Sequence, residues 1–292
     1  MTNKIYIVDG GVFSPPTRVM GKLAYNMSSY LSKLLKKPKI EYHFFPTNKY
    51  YNKPWVRCVD EKDRIHMLNN LINYINNEFK PSKNIKFVVN DYEIKKGKQI
   101  KDHVQTIDSV NFFKNKKHVY LANSIQNMIS ILQGNYDESL YLLYNFHFIV
   151  YDIYSSELMG NETTYNYLIK NINIDNLINS SNKCKKDFFK NKSSNQMKRE
   201  IMKKIIILPK NLVPESYKSL AGNRLREELD VYYDSLQNIQ KLTTPTIGKF
   251  ITNKKLYNHC KSNYENKLIS KNNKTKTKRV KHNKTKKQRR RL

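Results

Sequence analysis

The first apolar run of the chain reads Ile5-Tyr6-Ile7-Val8-Asp9-Gly10-Gly11-Val12-Phe13-Ser14-Pro15-Pro16-Thr17, in which four apolar residues lead into two glycines. A short apolar run that ends at glycine is typical of a buried strand followed by a tight turn. From Val19 to Lys36, apolar side chains recur close to the period of a helix. Strand, turn and helix in this order predict the first half of a βαβ unit.

A strand-to-helix turn of this kind can hold a phosphate. Its free backbone N–H groups and the positive end of the helix dipole meet at the carboxyl edge of the sheet. Gly10 and Gly11 would let a ligand approach the backbone closely. Two glycines after a strand can also form a turn and nothing more, so the pair alone leaves both interpretations open.

The residues around the turn carry a resemblance to a known family. The signature G-x-F-[DN]-P-x-[HT]-x-x-H of Rossmann-like nucleotidylyltransferases, particularly the nicotinamide/nicotinate mononucleotide adenylyltransferases, is matched at Gly11, Phe13, Pro15 and Thr17. Ser14 stands where Asp or Asn is usual, and Met20 replaces the second histidine, which in the family helps to neutralise the reacting phosphate. A register two residues later would offer Lys22 as a substitute cation.

A second block resembles the same family. The family has a P-x-x-x-x-Y-x-K loop followed by a helix containing R-x-x-M-L, and this chain has that order from Pro46 to Leu68. By position, Lys53, Trp55 and Arg57 inherit the role of binding the mononucleotide. Arg64 could belong to the site, or it could only cap and pack the helix.

Later positions extend the resemblance as far as Tyr257. Asn90 and Glu93 are expected at the carboxyl edge of the sheet after the third strand, and a helix from Asp102 to Lys114 carries Thr106, which faces the site in relatives. Asn123 replaces an aspartate that organises the nucleotide pocket, and Tyr136 lies near the usual stacking tryptophan. The roles that the resemblance implies are catalytic for Thr17, Lys22 and Arg226; nucleotide-binding for Gly10, Gly11, Val12, Phe13, Ser14, Asn123, Gly222 and Asn223; and substrate-binding for Lys53, Trp55, Arg57, Asn90, Thr106 and Tyr136.

The order of the motifs predicts a Rossmann-like α/β fold. We expect a doubly wound parallel sheet of five to six strands with helices on both faces, and a ligand at the carboxyl edge between the first and fourth strands. This domain should occupy residues 1–258, with a polar, partly helical insertion at about 152–203. A basic tail, expected to be disordered, follows at 259–292.

Composition limits the class of protein. With 292 residues, 39% of them hydrophobic, the chain can bury a large core. The three cysteines, Cys58, Cys184 and Cys260, are far apart and outside any CxxC pattern, which argues against a disulfide framework or a structural zinc site. The sequence has no apolar run near the roughly 18 residues of a membrane span and no secretory leader pattern, so we expect no membrane partner and an intracellular location, cytoplasm or nucleus.

Positive charge is concentrated in the tail. From Lys261 to Leu292 there are fourteen Lys or Arg residues and one Glu, which gives +13 of the net +30 and leaves +17 for the rest of the chain. Few apolar residues accompany these charges, so the segment should not fold alone. Such tails bind nucleic acid or another polyanion, act as nuclear-targeting signals, or only keep a protein soluble.

The activity that the resemblance implies is adenylyl transfer in NAD biosynthesis. AMP from ATP would be joined to nicotinamide or nicotinate mononucleotide, with Mg²⁺ carried on the ATP phosphates and no metal held by protein ligands alone. The departure at Met20 implies that this activity could be weak or lost. The combined departures at Ser14, Met20, Asn123 and Ala221-Gly222 open an alternative, in which the protein is a catalytically inactive nucleotide-binding or interaction module with a polyanion-binding tail.

Overall fold

The structure is a computed structural model of the 292-residue chain. It describes residues 4–36, 38–51, 59–136, 138–152, 162–180, 192–214 and 242–257.

A six-stranded sheet forms the centre of the described part of the chain. Its strands are β1 Lys4–Gly11, β2 Lys39–Pro46, β3 Ile85–Val89, β4 Val119–Ser124, β5 His147–Tyr151 and β6 Ile205–Ile207. They lie in the order β3-β2-β1-β4-β5-β6, and every neighbouring pair is parallel. This order is that of a doubly wound sheet, so the predicted fold class is confirmed.

Helices connect the strands and cover both faces of the sheet. They are α1 Arg18–Leu34, α2 Glu61–Phe79, α3 Tyr92–Ile100, α4 Thr106–Asn111, α5 Ile125–Leu132, α6 Ser139–Asn145, α7 Thr164–Lys170, α8 Ile174–Asn179, α9 Ser194–Met202 and α10 Pro245–Asn253. None of the helices in these ranges is long and apolar enough to cross a bilayer.

Two apolar cores lie on opposite faces of the sheet. On one face, Met27 of α1, Leu71 of α2 and Ile251 of α10 belong to the same buried cluster. On the other face, the cluster includes Met128 of α5 and Leu143 of α6. Parallel strands that are covered on both sides need apolar residues on both faces, which explains their nearly continuous apolar runs.

Helices in the range 152–203 contribute to the second of these cores. Leu168 of α7, Leu177 of α8 and Ile201 of α9 are buried in it. Ser193 caps α9 in a reciprocal capping box with Gln196, which satisfies two backbone N–H groups at the start of that helix.

The region after β3 differs from the sequence-based expectation. The helix expected from Asp102 to Lys114 spans only Thr106–Asn111, and a separate helix, α3, precedes it at Tyr92–Ile100. Gly97 lowers the helix propensity of the α3 segment. A Cβ at this position would lie 2.4 Å from Nδ2 of Asn48, so the glycine is needed for a contact with a distant residue.

Candidate functional site

A cleft of about 470 Å³ opens at the carboxyl edge of the sheet, beside the ends of β1 and β4. The strand order reverses between these two strands, and ligands of doubly wound sheets bind at such a switch point. The cleft wall is made by the glycine turn, the loop before α4, the start of α5 and the segment after it. Six of the residues predicted for the site line it: Gly10, Gly11, Val12, Thr106, Asn123 and Tyr136.

The two glycines of the turn lie in different surroundings. A Cβ at Gly10 would meet no atom of the described residues within 4 Å, so the packing of those residues does not require glycine there. A Cβ at Gly11 would lie 3.2 Å from Cζ of Phe13, which is tighter than an ordinary van der Waals contact. Gly11 is also fixed by its carbonyl oxygen, which accepts a 3.0 Å hydrogen bond from the backbone N–H of Thr47.

Phe13 and Ser14 lie beneath the turn and do not line the cleft. Phe13 is buried, has a left-handed φ of 44°, and meets the edge of Phe44 with ring centroids 5.6 Å apart. The hydroxyl of Ser14 is buried and forms a 2.8 Å hydrogen bond with the hydroxyl of Tyr257. These two residues hold the turn in place from below.

The residues predicted for phosphate chemistry on α1 have structural roles. The buried Thr17 caps the helix, since its Oγ1 accepts a 3.2 Å hydrogen bond from the backbone N–H of Met20. Met20, which stands where the family has histidine, is partly buried against the apolar core. Lys22 is exposed on the helix surface and is not part of the cleft wall.

Asn90 lies in the turn between β3 and α3. Its Oδ1 accepts a 3.0 Å hydrogen bond from the backbone N–H of Tyr92, and its Nδ2 lies 3.5 Å from Nδ1 of His43. These contacts fix the turn, and Asn90 does not line the cleft.

Other predicted positions lie outside the described residues. They are Lys53, Trp55 and Arg57 of the substrate loop, Gly222, Asn223 and Arg226 of the second phosphate-binding segment, and the basic tail at 259–292.

Glu93 lines the cleft from the start of α3. Its Oε1 accepts a 2.6 Å hydrogen bond from the hydroxyl of Ser109, while Oε2 is buried with no hydrogen-bond partner among the described residues. Burial raises the pKa of the carboxyl to about 7, although the hydrogen bond from Ser109 and the charge of Arg64 act in the opposite direction. Glu93 is therefore a group that can change its charge near neutral pH.

The cleft wall also contains His103 and Thr47, which no sequence motif indicated, and Tyr51, which matches the tyrosine of the P-x-x-x-x-Y-x-K loop but had no predicted role in the site. The rings of His103 and Tyr51 lie 4.7 Å apart, and burial lowers the pKa of His103. His103 Nδ1 and Thr47 Oγ1 are buried and have no hydrogen-bond partner among the described residues. Buried polar atoms are usually paired, so the unpaired atoms in this wall mark it as a place where a ligand could supply partners. No local sequence pattern distinguishes His103 or Thr47, whereas the loop motif that contains Tyr51 could have indicated that residue.

Arg64 of α2 lies directly beneath the glycine turn. It is completely buried, and its Nη1 donates a 3.3 Å hydrogen bond to the carbonyl oxygen of Val12. Nε and Nη2 have no partner among the described residues. Burial lowers the pKa of the guanidinium, and the nearby charge of Glu61 opposes this shift. Because arginine keeps its proton in proteins, a positive charge lies under the turn.

Two solved structures of Plasmodium falciparum nicotinic acid mononucleotide adenylyltransferase, one complexed with NaAD and one with APC, are similar to this chain. Each has a TM-score of 0.54 and 16% sequence identity, with coverage of 87% of this chain and 97% of the other. The chain has a nucleotidyltransferase-like fold. No protein-family model and no curated protein sequence matches it.

Asp9 lies near the end of β1, and the pKa of its carboxyl is unusually high. The carboxyl is partly buried, and its Oδ2 accepts a 2.7 Å hydrogen bond from the hydroxyl of Tyr42. Burial raises the pKa of Asp9 to about 7, and the hydrogen bond from Tyr42 opposes the shift. The folded protein thus holds this proton more tightly than the unfolded chain, whose carboxyl has an ordinary pKa near 3.8.

This pKa predicts a pH-dependent stability. The stabilisation of the folded state by the proton on Asp9 is fully present below about pH 4, and it is lost as the pH rises through about 7. We expect Asp9→Asn to raise the unfolding free energy at pH 8 by about 1–2 kcal/mol, a value reduced to allow for partial exposure, and to raise it by about a third as much at pH 5. Urea denaturation of both proteins at the two pH values measures this difference. An equal effect at pH 5 and pH 8 would contradict the pKa assignment.

Proposed function

We propose that this protein is an adenylyltransferase that joins nicotinamide or nicotinate mononucleotide to ATP and releases pyrophosphate. The observation that carries the proposal is the cleft at the switch point, in which the backbone of Gly10 is open to a ligand and is not crowded by the protein. The complexes of the Plasmodium falciparum enzyme with NaAD and APC support it, because that protein shares the fold.

In this proposal the chain supplies position and charge, and no nucleophile. The phosphate of the mononucleotide attacks the α-phosphorus of ATP in line with the departing pyrophosphate. Gly10 and Gly11 allow the backbone to approach a phosphate, Asn123 belongs to the nucleotide pocket, and Thr106 and Tyr136 bind the mononucleotide from the cleft wall. Among the described residues of the cleft wall, His103 is the only one with a basic side chain.

The cations that neutralise the phosphates must therefore come from elsewhere. We assign this role to Lys53, Arg57 and Arg226, whose segments lie outside the described residues. Arg64 adds a buried positive charge below the turn.

Mg²⁺ fits this site as a companion of ATP. Within the described ranges, no group of three His, Cys, Asp or Glu side chains could hold a metal ion. A metal that is coordinated mainly by phosphate oxygens does not need such a group. Bound to ATP, Mg²⁺ would neutralise part of the charge of the triphosphate.

Incubation with Mg²⁺-ATP and each mononucleotide tests the activity. We expect chromatography to detect the dinucleotide and pyrophosphate in equal amounts, at a rate about two to three decades below that of an enzyme with the full signature, because Met20 removes one charge donor. Complete absence of product at high enzyme concentration would overturn the catalytic proposal.

A second candidate function is that of an inactive nucleotide-binding module. It is favoured by the position of Met20, whose side chain packs against the apolar core, and by the involvement of the Ser14 hydroxyl with Tyr257. Calorimetry with ATP and with each mononucleotide separates the candidates. Binding with no turnover supports the module, and binding with turnover supports the enzyme.

A further inference from the structure

Lysines gather at the edge of the sheet opposite the cleft. Because all six strands are parallel, their amino ends meet at one edge, which we call the amino edge. Its lysines lie at or just before the first residues of four strands: Lys4, Lys39, Lys83, Lys86, Lys116 and Lys117. Helices α1 and α2 run back across the sheet and end at the same edge, where they add Lys36 and Lys80.

Contacts between neighbouring strands place these lysines close together. The ammonium groups of Lys4 and Lys116 lie 5.2 Å and 5.8 Å from the ring centroid of Tyr6. Asn84 links the start of β3 to the end of α1 and to the start of β2, since its Nδ2 donates to the Ser32 hydroxyl at 2.9 Å and to the Pro38 carbonyl at 2.8 Å. The lysines are therefore carried on a rigid framework.

Lysines at this edge contribute to lowering the pKa of two histidines. Burial lowers the pKa of His43, Glu41 opposes that shift, and Lys4 and Lys86 lower the pKa further. On the other half of the sheet, burial, Lys204 and His118 lower the pKa of His147. Lysines at the amino ends of β1, β3 and β6 thus act on these two histidines.

Few carboxylates offset this field. In the described part of the chain, Lys4 pairs with Glu41 at 2.7 Å and Lys203 pairs with Glu200 at 2.7 Å. Lys39, Lys86 and Lys117 are exposed and form no ion pair with a described carboxylate. Carboxylates such as those of Asp9 near the end of β1, and of Asp91 and Glu93 after β3, instead lie toward the opposite edge.

We propose that the amino edge binds the phosphodiester backbone of a nucleic-acid duplex. The four strands that carry these lysines are neighbours in the sheet, and at about 4.8 Å apart they give the row a length of about 14 Å, along which a duplex carries about eight phosphate charges. Lysine ammonium groups bind phosphates as point charges and do not read bases, so the binding is independent of sequence. The site lies at the opposite edge from the cleft, and the proposal does not depend on the proposed catalytic function.

The surface fits a duplex better than an anionic membrane. Leu34 and Leu35 at the end of α1 are exposed large apolar residues near the amino edge. A membrane-binding surface usually buries a whole apolar face beside its basic residues. Two leucines at one end of a row of lysines do not form such a face.

Replacement of four amino-edge lysines by glutamine tests the site in the full-length chain. The variant is Lys39→Gln with Lys86→Gln, Lys116→Gln and Lys117→Gln, and the probe is a 20-base-pair duplex of random sequence. We expect the slope of log K against log salt to become less negative by about 3, and the affinity at 50 mM salt to fall at least about tenfold. The basic tail is present in every protein compared, so its contribution cancels.

The matched control removes four exposed lysines near the opposite edge: Lys62, Lys95, Lys101 and Lys249. We expect this control to keep the slope within about 1 of the unmodified protein. Circular dichroism and thermal melting verify that both variants are folded. The proposal is wrong if the two quartets change the slope equally, if the amino-edge quartet changes nothing, or if the unmodified protein binds phosphatidylserine vesicles but not the duplex.

Discussion

Replacing Gly10 by valine is expected to weaken the binding of ATP and of the mononucleotide about a hundredfold, which corresponds to about 2.7 kcal/mol. A Cβ added at this position meets no atom of the described residues within 4 Å, so we expect the valine side chain to project into the space above the turn. For the same reason, the unfolding free energy should change by no more than about 0.5 kcal/mol. Calorimetric titration and thermal melting on the same preparation measure both quantities.

Gly11→Ala provides a contrast in stability, because its effect is on the packing beneath the turn. Its new Cβ would lie 3.2 Å from the ring of Phe13, which is buried, held at a left-handed φ and packed against Phe44. We expect this change to destabilise the protein by about 1–3 kcal/mol through overpacking. If Gly10→Val binds both ligands as the unmodified protein does, then the two glycines form only a turn, and the proposed phosphate contact is wrong.

The second large effect is expected at Arg64. Its side chain is completely buried, so Arg64→Ala leaves a large cavity beneath the turn and should destabilise the protein by about 3–5 kcal/mol. Arg64→Met keeps most of the volume and removes two buried N–H groups that have no described partner. We expect the methionine variant to lose less than about 1 kcal/mol or to gain stability. Denaturant unfolding of the three proteins gives the comparison.

The same pair of variants separates packing from charge in ligand binding. If the positive charge under the turn contributes to phosphate binding, then Arg64→Met should bind ATP about tenfold more weakly, despite its intact stability. Equal ATP affinity in Arg64→Met and the unmodified protein would assign Arg64 to support of the Val12 carbonyl alone. Equal destabilisation by alanine and methionine would contradict the cavity explanation.

The sheet could be predicted from the sequence because its signals are local. The apolar run before Gly10, the helical period from Val19 and the strand before Asn90 are each read within a few residues, and the structure has an element at each place. Resemblance of ordered motifs then placed the cleft between β1 and β4. These signals do not require knowledge of which distant residues meet.

The features that the sequence did not predict depend on contacts between residues that are distant in the chain. Helix α3 contains Gly97, and glycine is needed there because the distant residue Asn48 packs against its backbone. His103 enters the cleft because it meets the ring of Tyr51, and Thr47 enters it beside Gly11. The burial of Arg64 likewise depends on how α2 lies under the turn. Each of these facts is tertiary, so neither periodicity nor residue type could indicate it.

The hydrogen bond between Ser14 and Tyr257 also has a consequence for biosynthesis. The two residues are 243 positions apart, yet together they hold the glycine turn. At translation rates of about 5–20 residues per second, a ribosome needs roughly 12–50 s to proceed from one to the other. Throughout that interval the nascent chain has its first strand and turn without the residue that holds them from below. The cleft is therefore one of the last features of this protein to mature.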